Sequence, residues 1–418
     1  MVDKNLFLYD LVVAAIFKDE AHYLKEWLDY HLLAGVEHFY LYNNDSSDDF
    51  REVLAPYVEE NLVTLIEWPG KLMQYPAYND AVEKFRFECR YMAFIDLDEF
   101  IFPKSNRSIT EVVDEILSRN PNATALAINW QVFGSNGQID ADFSRGVLER
   151  FTRRAPSNWI PIDERGIKEG NNIVKSVNNS LFICQIFHPH FAHHFNGKFA
   201  VNSDGKLVPS WSNEPVTADK IVVNHYYTKS AEEYRKTKLQ RGYANEARSP
   251  YGDKNFSKYN RNEVFDDGIL KYRAARAKNF FFESEGDRIN RVVNALAKTL
   301  TKKFYAESLD GKLETFLTCR AVAEKFQIKI DEHSAEEIAL AKIHQILSEG
   351  TALSYHDMQL FIEVLPEILS RPFPLAKKIF QTFTLKVLPA TIDIAKKFGA
   401  WSDYKNLRSL QRLLSSIQ

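Results

Sequence analysis

Disulfide chemistry is barely open to this chain. Its three cysteines, Cys89, Cys184 and Cys319, are far apart, odd in number and form no CxxC pair. That excludes a disulfide-stapled scaffold and reads as reduced core thiols in a reducing compartment. Net charge is almost missing as well: 53 basic and 56 acidic residues leave −3, so no global field draws the chain to nucleic acid. No run approaches the ~20 apolar residues of a spanning helix. A cytoplasmic location is expected, with any membrane contact peripheral, at the inner membrane. The opening MVDKNLFLYDLVVAAIFKDE offers only a short apolar run that meets Lys18-Asp19-Glu20, which suits a buried strand better than a signal peptide. Neither GxGxxG nor the GxxxxGK(S/T) phosphate loop occurs, so dinucleotide and P-loop readings are weak. His188-Pro189-His190 and His193-His194 lack a cysteine partner or HExxH spacing, which argues against zinc.

Aromatic residues, by contrast, are plentiful: 30 Phe, 19 Tyr and 6 Trp. Most must fill a core, and some can stack on sugars or bases. Residues 11–17, LVVAAIF, form a continuous apolar run of the kind found in central parallel strands. A helix is expected over 19–34, with Leu24, Trp27, Leu28, His31 and Leu32 on one face and Gly35 ending it. Strands at 36–42, 62–67 and 91–95 follow, with helices near 50–57 and 77–90 between them. This alternation predicts an α/β fold with an open, mostly parallel sheet. Ligands then lie beyond the carboxyl ends of the strands. Three polar clusters fall there: Lys18-Asp19-Glu20, Asn43 to Asp49, and Asp96-Leu97-Asp98-Glu99. Further strands are expected at 125–132, 181–187 and 220–224, and a basic helix at 230–242.

The domain plan that follows is a catalytic domain over 1–242, a polar linker over 243–269 and an all-helical domain over 270–418. In the last, LETFLTCRAVAEKF and SAEEIALAKIHQILSEG carry helical apolar spacing, and Ser334 with Glu337 resembles a capping box. That domain is expected to serve assembly or acceptor presentation.

Asp96 and Asp98, at i and i+2 just past a buried strand, can reach one hard cation if the chain turns there. Such a cation neutralises a leaving diphosphate, the chemistry a nucleotide-sugar transferase needs. The segments VVAAIFKDEAHYLKEWLDYHLLAGVEHFYLYNNDSSDD, QYPAYNDAVEKF and YMAFIDLDEFIFP, with NWQVFGSNG, VLERFTRRA, VKSV and VNHYYTKSAEEYRKTKLQRG further on, resemble glycosyltransferase family 92 and the family 2-like group. The resemblance spans about 230 residues and stops short of the helical tail. It implies the GT-A fold, a nucleotide-sugar donor with UDP-sugar favoured, Mn²⁺ or Mg²⁺, inversion, and a glycan or other hydroxyl acceptor, as in polysaccharide biosynthesis.

Position by position, the resemblance places Glu20 near the nucleotide and Asn44, Asp45 and Ser46 against base and ribose. Gln74 and Asn79 fall where the donor sugar is expected. His225 completes a metal shell with Asp96 and Asp98, Asp98 being essential to transfer. Lys175 is assigned to the donor; with Lys229, Lys238 and Arg241 it can offset diphosphate charge. A base must take the acceptor proton; Glu149 is the first choice, Asp142 and Asp163 the alternatives. A second reading stays open: a carbohydrate- or nucleotide-binding protein that keeps the fold without catalysis.

Overall fold

The computed structural model describes residues 4–302, apart from 165, 196, 240–251 and 279–282, together with 388, 389 and 408. Arg241, Cys319, the Ser334–Glu337 pair and most of the expected helical tail lie outside the described residues.

In chain order the elements are β1 (Tyr9–Phe17), α1 (Ala21–Leu33), β2 (His38–Asn43), α2 (Phe50–Glu59), β3 (Val63–Glu67), α3 (Gln74–Phe85), β4 (Cys89–Phe94), β5 (Glu99–Pro103), α4 (Ile109–Leu117) and β6 (Ala123–Val132). There follow α5 (Val147–Arg150), β7 (Arg153–Arg154), β8 (Val174–Asn179), β9 (Ile183–His188), β10 (Phe191–His194), β11 (Phe199–Val201), β12 (Leu207–Val208) and β13 (Ile221–His225). The last are α6 (Ala231–Tyr234), α7 (Asp253–Tyr259), β14 (Val264–Phe265), α8 (Gly268–Ala277) and α9 (Glu285–Lys302).

The main sheet runs β12-β11-β6-β8-β4-β1-β2-β3, with β13 bridging β6 and β5. Strands β4, β1, β2 and β3 are mutually parallel, and β8 inserts antiparallel between β4 and β6. Helices flank this open mixed sheet, so the expected α/β, Rossmann-like architecture holds. Strands β1, β2 and β4 carry buried residues on both faces, as their unbroken apolar runs require.

Helix α1 buries Trp27, Tyr30 and His31 completely or nearly so. Trp27 Nε1 donates to the Glu99 carbonyl at 2.9 Å, and Tyr30 Oη to that of Ile101 at 2.9 Å. Burial holds the His31 imidazole neutral, its pKa lowered to about 3. It is a satisfied core residue, bonded to Trp27 O at 2.8 Å and to Ile101 N at 3.3 Å. These contacts anchor the start of β5, and with it the Asp96–Glu99 turn. Gly35 takes φ +102° after the helix, with its Cβ position only 2.9 Å from Ser108, so a side chain there is excluded on both counts.

Several expectations need correction. Helix α3 begins at Gln74 rather than 77, because Pro76 in its first turn forgoes an N–H that has no helical partner anyway. Of the basic helix expected over 230–242, the described residues form a four-residue α-turn followed by a π-turn over Arg235–Leu239, and 240–242 lie outside the described residues. Cys184 is exposed, unlike buried Cys89, since it occupies a half-solvated hairpin strand.

Tyr9–His194 and Lys198–Glu285 form one compact body, which runs past residue 242, where the catalytic domain was expected to end. The expected linker holds α7 and β14, the latter paired with β7. Asn260 and Asn262 accept from the backbone N–H of Ser135 and Asn136, each at 2.8 Å. In α8, Tyr272 is 3% exposed and donates to Arg107 O at 3.0 Å. A polar composition conceals this packing because its bonds are side chain to backbone. Within the other unit, Arg291 of α9 donates to the carbonyls of Phe7 and Leu8. No described helix is long and apolar enough to cross a membrane.

Candidate active site

The parallel ends of β1, β2 and β4 bring the three polar clusters to one sheet edge. Beyond β4 the chain turns at Ile95–Asp98 and returns as β5. Strand β13 pairs antiparallel with β5, His225 opposite Glu99, and the Tyr226 N–H donates to Asp98 O at 2.8 Å. That register carries His225 to Asp98: its Nε2 is 3.5 Å from Asp98 Oδ1. Lys238 closes the other side, Nζ to Asp98 Oδ2 at 2.5 Å. Asp98 is 5% exposed. Burial alone would raise its pKa, but the neighbouring cation outweighs it and holds the carboxyl well below its usual range. Burial keeps His225 neutral against the pull of Asp98, so the balancing charge is that of Lys238.

Asp96 faces a different set. Its Oδ2 pairs with Lys175 Nζ at 2.9 Å, and its Oδ1 accepts from Gln74 Nε2 at 3.0 Å and Tyr78 Oη at 3.3 Å. Lys175 reaches it because β8 pairs with β4 two residues further on, Val177 opposite Ala93. Burial works against the Lys175 charge, yet Asp96 and Glu99 raise its pKa above the usual lysine range. Glu99 is fully buried; its carboxylate accepts from Trp130 Nε1 at 2.7 Å and Asp96 N at 2.8 Å, and lies 3.2 Å from Lys175. Desolvation holds its pKa up. Trp130 continues outward, its ring 4.1 Å from His225 and 5.0 Å from His190.

The expected three-ligand set of Asp96, Asp98 and His225 is thus divided. Among the described residues no three His, Cys, Asp or Glu groups converge on one point. Asp98 and His225 do fit a divalent cation: one carboxylate oxygen and one neutral imidazole nitrogen, 3.5 Å apart, suit a single Mn²⁺-like ion. Substrate phosphates and water would complete such a shell.

Gln74 and Lys175 thus gather on Asp96, and His225 on Asp98, as two neighbouring groups at the same strand end. Glu20, buried beside the same edge, stands at the start of α1. Asn44, Asp45 and Ser46 lie at the end of β2, where their side chains knit strand ends: Asn44 Nδ2 donates to Trp68 O and Gly70 O, Asp45 accepts from Gly70 N, and Ser46 Oγ accepts from Asp19 N. Asn79 is elsewhere, its amide spent on both backbone groups of Ile186 at 2.9 Å.

None of the expected bases joins the cluster. Glu149 is 45% exposed and pairs with Arg273 of α8 at 2.8 Å. Asp142 binds Ser144 and Arg145 in its own loop, and Asp163 closes a turn on Ile167 N. The sequence reading missed the placement of Glu99, Trp130 and His190. Glu99 adjoins the Asp96–Asp98 motif directly; the other two could be found only through the pairing of β6 with β8 and β13.

Known proteins resemble this chain over limited stretches. A glycosyltransferase family 92 protein of Ricinus communis is 24% identical over 219 residues, 52% of this chain and 35% of its own length. A galactan β-1,4-galactosyltransferase of Arabidopsis thaliana is 26% identical over 124 residues, 25% of each chain. The chain thus spans about a third or less of these curated relatives. S. aureus TarS 1-349 in complex with UDP aligns over 82% of this chain and 93% of its own, at 10% identity and a TM-score of 0.31. Residues 12–267 match the sequence profile of glycosyltransferase family 92. That stretch contains the whole site just described and more than half of the chain, which therefore belongs to glycosyltransferase family 92.

Proposed function

We propose that the chain is a metal-dependent glycosyltransferase that moves a hexosyl group from a UDP-sugar to a glycan hydroxyl, with inversion. The observation that carries this reading is the Asp98–His225 pair, buried at the ligand edge of the sheet and bordered by Lys238. Asp98 and His225 would hold Mn²⁺ or Mg²⁺, and the cation, when bound, offsets the charge that develops on a departing diphosphate. The family membership and the galactosyltransferase named among its relatives support sugar transfer.

The chain's own groups divide the remaining work. Glu99 fixes the turn by accepting from the Asp96 N–H, and Trp27 and Tyr30 hold β5 behind it. Lys175 and Gln74 orient Asp96 toward the donor side. Trp130, packed on His225 at 4.1 Å and on His190 at 5.0 Å, would shield the reacting bond from water, where preorganised dipoles act most strongly. The test is transfer of label from a panel of UDP-sugars to oligosaccharides in Mn²⁺. Product formed by the wild type and lost in Asp98→Asn supports the reading. A wild type that binds donor without any transfer or hydrolysis would favour the binding-protein alternative.

A further inference from the structure

The loop between β6 and α5 begins directly after Val132, the register partner of His225, and so emerges at the ligand edge. Its polar groups are spent on holding it down. The Ala141 N–H donates to Glu232 at 2.7 Å, the Glu232 N–H to Ile139 O at 2.9 Å and the Ala231 N–H to Gln138 O at 3.2 Å. Gln138 Nε2 donates to Arg150 O at 2.8 Å, and the Val147 N–H to Glu26 of α1. The loop is thus clamped to α6 and to α1. Yet it leaves two large apolar side chains open to water: Ile139 is 66% exposed and Phe143 47%.

Phe143 is held in place by the start of α1. His22, two residues past Glu20, stacks on it with 4.1 Å between ring centroids and 15° between planes. Tyr23 stands edge-on at 6.2 Å. The Tyr23 ring in turn meets the Lys229 ammonium at 4.2 Å, a charge that reaches Asp98. Phe143 therefore borders the reacting edge without being part of it. His22 also lines a groove of about 540 Å³ between α1 and α2. Val53 and Pro56 give that groove apolar lining. Asp49 and Glu52, both exposed, bring it carboxylates that have no partner among the described residues.

An open ring next to unpaired carboxylates suits a neutral sugar chain. The C–H face of a pyranose packs on an aromatic ring, and ionised carboxylates accept from its hydroxyls. An anionic surface would be repelled by Asp49, Glu52 and the exposed Asp140. We propose that Phe143 and the groove between α1 and α2 form an oligosaccharide subsite, which holds those units of the acceptor glycan that lie away from the reacting hydroxyl. This rests on the reading given under Proposed function and adds that the acceptor is a chain rather than a single sugar. Because the loop is pinned before the glycan arrives, little ordering entropy opposes binding.

Saturation-transfer NMR titrations of the full-length protein, with UDP and Mn²⁺ present, compare wild type with Phe143→Ala and Phe143→Tyr. The probes are β-1,4-linked glucan, mannan and galactan oligosaccharides of two and six units. Wild type should bind at least one hexasaccharide more tightly than its disaccharide. Phe143→Ala should weaken that hexasaccharide about fivefold, the scale of one ring contact. Phe143→Tyr should keep the wild-type affinity, and both variants should keep the UDP affinity and the melting temperature. Should Ala disturb the loop, Phe143→Leu removes the ring and keeps the bulk. Asp49→Ala/Glu52→Ala should cost the hexasaccharide more than the disaccharide. Hexasaccharide binding indifferent to Phe143→Ala would overturn the proposal, as would an equal loss in Phe143→Tyr or a parallel loss for UDP, since loop shape would then be what changed. Wild type that binds none of the glycans refutes the subsite. Attachment to anionic vesicles through Phe143, without glycan binding, would assign the patch to a membrane instead. Hexasaccharide binding through Phe143 without any transfer keeps the subsite and refutes the transferase reading; transfer to oligosaccharides that ignores Phe143→Ala does the reverse.

Discussion

Replacing Arg150 by methionine removes the cation from a fully enclosed pair, since both side chains are 1% exposed. Two bonds of 2.7 and 2.8 Å join its guanidinium to Glu233. Burial pushes the Glu233 carboxyl up, but the bonds from Arg150 and Ser230 prevail and lower its pKa from 4.5 to about 2. That difference corresponds to about 3 kcal/mol of stability at neutral pH. The sign follows from a depressed carboxylate: the contribution is complete above about pH 4.5 and fades as pH falls toward 2. Wild type is therefore flat in this respect between pH 5 and 7.5. In the variant an orphaned buried carboxylate remains, at a cost of about 3 to 5 kcal/mol, and burial now raises its pKa. It takes up a proton as pH falls, so the penalty shrinks between pH 7.5 and 5. Urea unfolding at the two pH values measures this, and Arg150→Met/Glu233→Gln should regain most of the loss. A penalty below about 1 kcal/mol, or one identical at both pH values, would refute the reasoning.

Four further outcomes are expected. Asp98→Asn should cut transfer at least ~100-fold while circular dichroism stays native; unchanged turnover at saturating Mn²⁺ would remove Asp98 from the site. Chelation with EDTA should abolish transfer and Mn²⁺ should restore it, whereas His225→Ala should need far more Mn²⁺ for half-maximal rate; a metal-independent rate would contradict both. Glu149→Gln should leave turnover within about twofold and stability within about 0.5 kcal/mol, because its pair with Arg273 is solvent-exposed; a large loss of rate would reinstate it as the base. Tyr272→Ala should destabilise the catalytic unit by about 3 kcal/mol, as its burial within that unit requires; a neutral effect on urea unfolding would return α8 to a separate domain.

The sheet and its ligand edge were legible because continuous apolar runs such as LVVAAIF end on polar residues, and a parallel order puts those ends side by side. Asp96 and Asp98 could be named from their place after a buried strand, and Gln74, Lys175 and His225 through a family likeness. What no local pattern could supply was their division into two groups. Lys238 lies 140 positions from Asp98, and Lys175 lies 79 from Asp96; strand register brings in Lys175, and the turn after β13 brings in Lys238. The pairing of Glu149 with Arg273 could not be read from the chain, because a carboxylate in a matching segment looks the same whether it faces substrate or an arginine. The packing beyond 242 was hidden for a related reason: Asn260 and Asn262 read as loop residues, while their side chains accept from the backbone of Ser135 and Asn136.

Calorimetric titration of UDP into the full-length protein, with Mn²⁺ and then with EDTA, in wild type and Asp98→Asn, bears most directly on the proposed site. Binding should be seen with Mn²⁺ and weaken at least tenfold both on chelation and in the variant. Nucleotide binding indifferent to Mn²⁺ and to Asp98, or no binding in any condition, would contradict it.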